Sequence, residues 1–205
     1  MLGTMGRLAP MSGGQRLTPL DRPSLELERM LHALRLHEIR WIMTGSTVLA
    51  AYSTELRPND LDVTPALDAQ NLRRVAALLT ELEALPIHNP DWEKNLTIEE
   101  CYAWKPEPAS EEQLDHLFVT RLGLLDIVPR LCGTYEELLP KATPVDAFGE
   151  ELLLCDPDEV LNRMPPRRKK DQRRAAQLRE VRERIATGLG PISLSRLGRP
   201  SGDSS

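Results

Sequence analysis

Two aspartates in an alternating run are the residues of this chain best suited by type and spacing to do chemistry. Asp60 and Asp62 alternate with Leu61 and Val63. Residues two apart in a strand share a face, so both carboxylates point one way and both apolar side chains point into a core. Carboxylates roughly 6–7 Å apart repel each other, and a divalent cation such as Mg²⁺ relieves that repulsion. The alternative is a strand edge with two solvated acids.

A glycine turn precedes these acids and is a second candidate. Thr44-Gly45-Ser46 lies between the apolar run 41–43, which predicts a buried strand, and a helix opening at Ser46. Glycine allows a backbone to approach a ligand closely, and a helix start offers unpaired N–H groups. Both features favour a bound phosphate. The same pattern also occurs in turns that merely connect a strand to a helix.

A third acid, Asp126, lies inside the apolar run 124–128. An acid in such a run is costly to bury without a partner. It is therefore either a third carboxylate beside the first two, on a neighbouring strand, or an acid on the solvated face of an edge strand. Asp115, at the entry of the preceding strand, is the alternative third carboxylate.

These features in this order resemble the nucleotidyltransferase superfamily to which DNA polymerase β belongs. The matching residues are Met43 to Ser46, then thirteen residues, then Asp60 to Val63, and later Asp126. The lead-in from Arg57 to Asp60 is also similar to the minimal bacterial and archaeal members, including toxins of the AbiEii type. The resemblance covers about residues 24–187.

The resemblance implies a role for each of these residues. Gly45 and Ser46 would hold the triphosphate of an NTP, and Asp60 and Asp62 would bind two Mg²⁺ ions. Asp126 would bind the catalytic metal and help to activate an acceptor hydroxyl. The expected reaction moves an NMP from the NTP to RNA or tRNA, a protein or a small molecule. Its expected setting is a cytoplasmic toxin with an antitoxin protein as partner.

The charges are distributed unevenly along the chain. Residues 163–184 hold ten Lys and Arg and three acids, a net charge of +7, so the rest of a chain with net charge −5 carries −5 − 7 = −12. The resemblance assigns Lys170 and Asp171, in this basic segment, to the nucleotide site. The alternatives are a solvated basic helix that packs by its apolar stripe, or a contact with an RNA backbone.

Two other functions remain open on the sequence alone. One is a catalytically silent module of the same fold, which contacts a protein or nucleic acid through the basic helix. The other is an adenylyltransferase acting on a cationic drug of the aminoglycoside kind, drawn by the acidic segment 97–115. Aromatic residues of the same insertion, Trp92, Tyr102 and Trp104, either line a purine pocket or form a small local core.

Composition and periodicity predict a globular α/β (α+β) protein with a small mixed sheet flanked by helices and a basic C-terminal helix. The chain has 205 residues, of which 40% are apolar and 28% charged. No apolar run suits a membrane span or a secretory signal. The three cysteines are widely spaced, which predicts reduced thiols.

The predicted domain covers residues 23–187, with its basic helix at 167–187, between a disordered leader at 1–22 and a disordered tail at 188–205. Its predicted elements are a helix capped by Ser24 (24–37), strand 41–43, a helix from Ser46, strand 61–64, a helix capped by Asp68, an insertion (86–113) with one short helix, strands 116–120 and 122–128, a helix capped by Thr134, strand 151–155, helix 157–164 and helix 169–186.

Overall fold

A seven-stranded mixed sheet forms the centre of the computed structural model, which describes residues 16–92, 95–163 and 175–198. Its spatial order is β3-β4-β5-β2-β1-β7-β6. The strands are β1 (Trp41–Met43), β2 (Asp60–Pro65), β3 (Leu85–Pro86), β4 (Leu117–Thr120), β5 (Gly123–Ile127), β6 (Thr143–Ala147) and β7 (Glu150–Leu154).

Eight α-helices and two 3₁₀ turns accompany the sheet within the described ranges. The helices are α1 (Leu27–Leu36), α2 (Gly45–Ala50), α3 (Ala69–Glu81), α4 (Ile98–Ala103), α5 (Glu111–Leu114), α6 (Tyr135–Leu138), α7 (Pro157–Arg163) and α8 (Ala175–Ala186), and the 3₁₀ turns are Leu139–Lys141 and Leu194–Gly198. The predicted mixture of helices with a mixed sheet is confirmed. None of the described helices has the length and apolar character that crossing a bilayer requires.

The pairing of β2 with β5 positions the acids. These two strands run parallel, with Asp62 opposite Asp126 and Leu61 opposite Leu125. Because alternate residues of a strand point to opposite faces, the register gathers the acids on one face. The other face carries four residues that are at most 1% exposed and belong to the main core: Leu61, Val63, Leu125 and Ile127.

Several sequence-predicted elements have the predicted type and nearly the predicted bounds. The hairpin of β4 and β5 is antiparallel and turns at residues 121–122. Asp68 caps α3 by accepting a hydrogen bond from the Asn71 N–H, at 3.2 Å. Thr134 caps α6 through a reciprocal bond with Glu137. These caps satisfy N–H groups that the helix itself leaves unpaired.

The structure differs from the sequence predictions at other elements. Ser24 does not cap α1, which begins at Leu27 after Glu26, and no side chain caps that helix. Strand β6 was not predicted, because Pro144 interrupts it; it lies at the edge of the sheet, where proline is tolerated. The insertion contains a second short helix, α5, beside the predicted one.

Residues 191–198 differ from the predicted disordered tail because they are bonded to the body. The Ile192 N–H donates to the Ala51 carbonyl, at 2.5 Å, and Leu194 is 1% exposed. The Arg196 guanidinium donates to the carbonyl of Ala50, the last residue of α2, and to that of Ser53, which follows the helix. Burial of one leucine and satisfaction of two carbonyls hold this segment in place.

The end of the predicted leader also contacts the body. The His88 N–H donates to the Pro19 carbonyl at 3.0 Å, and the Arg22 guanidinium donates to the His88 carbonyl at 3.3 Å. Residues 1–15 and 199–205, the remaining parts of the predicted leader and tail, lie outside the described residues.

Candidate functional site

Three carboxylates share one face of the sheet at β2 and β5. Asp62 and Asp126 are direct neighbours across the two strands, and Asp60 lies two residues before Asp62 on the same face. Asp62 is 8% exposed, and the other two are half-buried. The register therefore brings together three acids that the sequence separates by 66 positions at most.

The Gly45 bend is built against one of these acids. Gly45 has a φ of +60°, and a Cβ placed there would lie 2.1 Å from Asp62 Oδ2. The Ser46 N–H donates to the same oxygen at 3.2 Å, and the Thr44 N–H donates to the Asp62 carbonyl at 3.0 Å. Glycine is thus required here both by its backbone conformation and by the carboxylate that touches it.

This contact differs from the role predicted for the bend. The Ser46 N–H, expected to be available for a phosphate, already serves the Asp62 carboxylate. Beside it, the Thr44 hydroxyl is buried and has no hydrogen-bond partner among the described residues. The bend therefore contains one polar group that is satisfied by an acid and one that is not satisfied.

Two of the three acids, Asp62 and Asp126, have raised pKa values. The pKa of Asp62 lies well above its usual value because of burial and then the charges of Asp60 and Asp126, although the Ser46 N–H bond opposes the shift. Burial, followed by the charges of Asp60 and Asp115, raises the pKa of Asp126 to about 7. Burial disfavours the charged carboxylates first, and the neighbouring acids add to that effect, so this face takes up protons more readily than free carboxylates do.

These carboxylates suit a hard divalent cation in donor type and in charge, since Mg²⁺ binds through oxygen and one or two carboxylates. The positions of these carboxylates in the structure do not form a complete metal site. In the part of the chain that the structure describes, no group of three or more His, Cys, Asp and Glu side chains is gathered so that it could hold a metal ion. The Asp62 carboxylate instead turns towards the Ser46 N–H.

The two candidates for the third acid occupy different places. Asp126 lies within β5, opposite Asp62. Asp115 follows α5 as its C-terminal cap residue and lies near enough to Asp126 to raise its pKa. Asp126 therefore has the strand position that the sequence analysis preferred, and Asp115 adds negative charge behind it.

A cavity of about 1030 Å³ opens beside Asp60. Its apolar walls include Ile87, Leu117 and Leu124, and the last two share the sheet face of the acids. Trp92 also lines it, and its side chain is 44% exposed. Polar side chains complete the lining, among them Arg22, Arg29, Arg57 and Asn89. The sequence gives no local signal for this cavity, because its walls come from segments that are distant along the chain.

The other aromatic residues of the insertion have a different role. The Trp104 ring packs on Phe118, with 4.9 Å between ring centroids, and its Nε1–H donates to the Gln113 carbonyl at 3.2 Å. Tyr102 lies 39% exposed beside a separate cavity of about 280 Å³. Trp104 thus belongs to a small local core, whereas Trp92 lines the cavity beside Asp60.

Two cysteines lie next to the same bend, which their sequence spacing did not indicate. Cys132 and Cys155 are both buried, and each affects the pKa of the other. The Gly45 backbone N–H is one of the groups that lower the pKa of Cys132. The Cys155 side chain and the charge of Arg163 lower the pKa of Cys132, although burial opposes them, whereas the Cys132 side chain and burial raise the pKa of Cys155.

Lys170 and Asp171 lie outside the described residues, as do residues 164–174 generally. The described end of the basic segment is α8, which buries Leu178 and Val181 against the body. Glu180 accepts hydrogen bonds from the Ser53 hydroxyl, at 2.7 Å, and from the Thr54 backbone N–H, at 3.1 Å. The helix thus packs through apolar residues and one acid.

Comparison with known proteins adds no family. No protein-family model matches this chain, and no curated protein matches it either. The resemblance to nucleotidyltransferases therefore depends on the motif residues of the sequence alone.

Proposed function

We propose that this protein is a Mg²⁺-dependent nucleotidyltransferase, which moves an NMP from an NTP to an acceptor hydroxyl and releases pyrophosphate. The observation that supports it is the register of β2 and β5, with Asp62 opposite Asp126 and Asp60 on the same face. Burial raises the pKa of both Asp62 and Asp126 and the neighbouring acids raise it further, so positive charge at this face would stabilise the ionised carboxylates. A bound cation supplies it.

In this proposal Asp60, Asp62 and Asp126 hold the metal. Two Mg²⁺ ions held there would stabilise the attacking and leaving oxygens during displacement at phosphorus. The Asp126 carboxylate also accepts a hydrogen bond from the acceptor hydroxyl and so orients it. The protein contributes mainly position and charge balance, since this class of reaction needs little covalent chemistry from side chains.

The cavity beside Asp60 offers room for one of the two reactants. Its apolar floor of Leu117 and Leu124 and the ring of Trp92 suit a planar or sugar ring, and its arginines suit an anionic group. Because Asp60 itself lines this cavity, a ligand there meets the carboxylate face. The chemistry of the lining favours a reactant that carries a nucleotide.

The test is transfer of label from radioactive NTPs in the presence of Mg²⁺, with RNA, protein and small-molecule fractions offered separately as acceptors. Asp62→Ala is expected to reduce labelling by about 10²-fold or more, the loss seen when one electrostatic group is removed from a catalytic site. Asp146→Ala is the matched control, because Asp146 is a strand acid on exposed β6. Equal labelling by wild type and Asp62→Ala contradicts the proposal.

A second candidate, a catalytically silent binding module, is supported by the bond between Ser46 and Asp62. That bond occupies the N–H group on which a triphosphate site would depend. In such a module the basic segment contacts a protein or nucleic acid. RNA binding that is lost when residues 167–170 are neutralised, but that survives Asp60→Ala and Asp62→Ala, supports the module; loss of labelling in the aspartate variants supports the enzyme.

A further inference from the structure

A second cavity, of about 280 Å³, lies at the β3 edge of the sheet and is separate from the carboxylate face. Strands β4 and β5 stand between β3 and β2, the strand that carries Asp60. Apolar side chains line part of the cavity, with Leu79 and Ala84 buried and Leu85 half-buried. The proposed transfer reaction makes no use of this cavity.

Two aromatic rings also line it. The Trp104 ring is held by contacts of its own, since it packs on Phe118 with 4.9 Å between ring centroids and its Nε1–H donates to the Gln113 carbonyl at 3.2 Å. The Tyr102 ring is more open, at 39% exposed, and the Arg16 guanidinium lies over it, 5.7 Å from the ring centroid. Two aromatic side chains in one small cavity favour a ligand with a planar ring, because aromatic rings pack well on one another.

The charged side chains of the lining are two cations and one acid, namely Arg16, Lys105 and Glu83. The acid is already neutralised, since Glu83 Oε2 lies 2.5 Å from Nη2 of Arg121, a residue outside the lining. The two cations therefore leave the cavity with an excess of positive charge, which attracts an anionic group.

The backbone segments that carry the two cations are fixed in position. Next to Arg16, Leu17 packs against the apolar cluster that contains Leu117. The Gln113 side-chain amide donates to the Lys105 carbonyl at 2.5 Å. Each cation thus extends from an anchored segment, and this reduces the entropy lost when it pairs with a ligand.

We propose that this cavity binds a compact aromatic anion, a planar ring that carries one carboxylate or phosphate group. The ring lies against Tyr102 and Trp104. The anionic group pairs with Arg16 and Lys105. The cavity is slightly smaller than the range of about 300–1,000 Å³ that is typical of sites for drug-sized ligands, which favours a molecule of one or two rings over a whole nucleotide.

The test is isothermal titration calorimetry of the full chain with three probes that share one ring system. 1-Naphthoate and 1-naphthyl phosphate carry the two anionic groups, and 1-naphthalenemethanol is the uncharged control. At least one of the anions is expected to bind about tenfold or more tightly than the alcohol, since two ion pairs are added to the same ring contact. The anion that binds more tightly identifies the group that the site prefers.

Variants assign the affinity to the named side chains. Arg16→Ala and Lys105→Ala are each expected to weaken binding of the anion by about fivefold and to leave the affinity for the alcohol unchanged. Tyr102→Ala is expected to weaken binding of every probe by about fivefold, whereas Tyr102→Phe, which keeps the ring, binds as wild type does. Lys141→Ala is the matched control, because Lys141 is an exposed lysine of the 3₁₀ turn after α6.

Equal affinity for the anions and the alcohol would overturn this proposal, because the cavity would then be only an apolar crevice. Absence of binding by all three probes at millimolar concentrations would overturn it too, as would unchanged affinity in both cation variants. Labelling from NTPs is a separate measurement at a separate site, so this proposal and the proposed transferase activity can each fail alone.

Discussion

The two faces of the β2–β5 strand pair have opposite chemistry, although both are made by the same two strands, whose side chains alternate between them. One face carries Leu61 and Leu125, each 0% exposed and packed in the main core. The other face carries Asp62 and Asp126, whose pKa values are both raised by burial and by neighbouring acids. The apolar face therefore stabilises the folded state, whereas the buried acids on the other face destabilise it when they are charged.

That difference has the form expected of a functional site. A buried group that costs stability is retained when it does something that a well-packed apolar residue cannot do. The small apolar cluster of Ile87, Leu117, Val119 and Leu124 shows that the acid face is able to hold hydrophobic residues close by. The three carboxylates are therefore the unusual feature of this face.

The largest effect on the free energy of unfolding is expected from a single substitution on each of the two faces. Leu125→Ala should lower the free energy of unfolding by about 2–5 kcal/mol, because it leaves a cavity in the core. Asp126→Asn, its neighbour in sequence, should raise it by about 1–3 kcal/mol at pH 8, because it removes a repelled charge. Urea unfolding of both variants checks this, and loss of stability in Asp126→Asn would remove the contrast.

A somewhat smaller effect on the free energy of unfolding is expected from pH, and it also distinguishes the two faces. The pKa of Asp126 is about 7 in the folded protein against 3.8 ordinarily, so the folded state holds this proton more tightly than the unfolded state does. Stability from this group is complete below about pH 4 and is lost as the pH rises to about 7, a change of a few kcal/mol.

The measurement is the difference between wild type and Asp126→Asn in urea unfolding from pH 5 to pH 8. Wild type should lose stability relative to the variant across this range, and Asp62, whose pKa is raised in the same direction, contributes with the same sign in both proteins. Parallel curves would mean that Asp126 is not under the charge repulsion described above.

A smaller effect separates the two reasons for glycine at position 45. Gly45 and Gly149 both have a positive φ. A Cβ added at Gly45 would meet the Asp62 carboxylate, whereas a Cβ added at Gly149 would have no atom within 4 Å. Gly149→Ala should cost about 1–2 kcal/mol from backbone strain alone. Gly45→Ala should cost about 1–3 kcal/mol more.

Thermal unfolding of the two single variants and of Gly45→Ala with Asp62→Ala checks this expectation. The extra cost should disappear in the double variant, since the carboxylate that meets the new Cβ is gone. An extra cost that persists without Asp62 would assign the requirement for glycine to the backbone alone.

Local signals in the sequence were sufficient to predict much of this fold. The alternation of Asp60 to Val63 predicted which side chains share a face. Asp68 and Thr134 predicted the starts of the helices that they cap. Two apolar runs separated by a single polar residue allowed either a tight hairpin or one bent ribbon, and the structure has the hairpin of β4 and β5. In each case the controlling interaction lies within a few residues of the chain.

Features that depend on distant contacts could not be predicted in this way. The cavity wall around Trp92 and the order of the strands both join segments far apart in sequence. The tail segment at Leu194 was predicted to be disordered because its composition is polar and glycine-rich, whereas its burial depends on a surface built elsewhere.

The central claim is that Asp60, Asp62 and Asp126 together bind a divalent cation, and the most direct measurement is the Mg²⁺-dependent shift in Tm at pH 8. A ligand that binds only the folded state raises Tm with its concentration. Wild type should show such a rise, and Asp60→Asn, Asp62→Asn and Asp126→Asn should each show little or none, while Asp146→Asn behaves as wild type. Equal shifts in all five proteins would contradict the account.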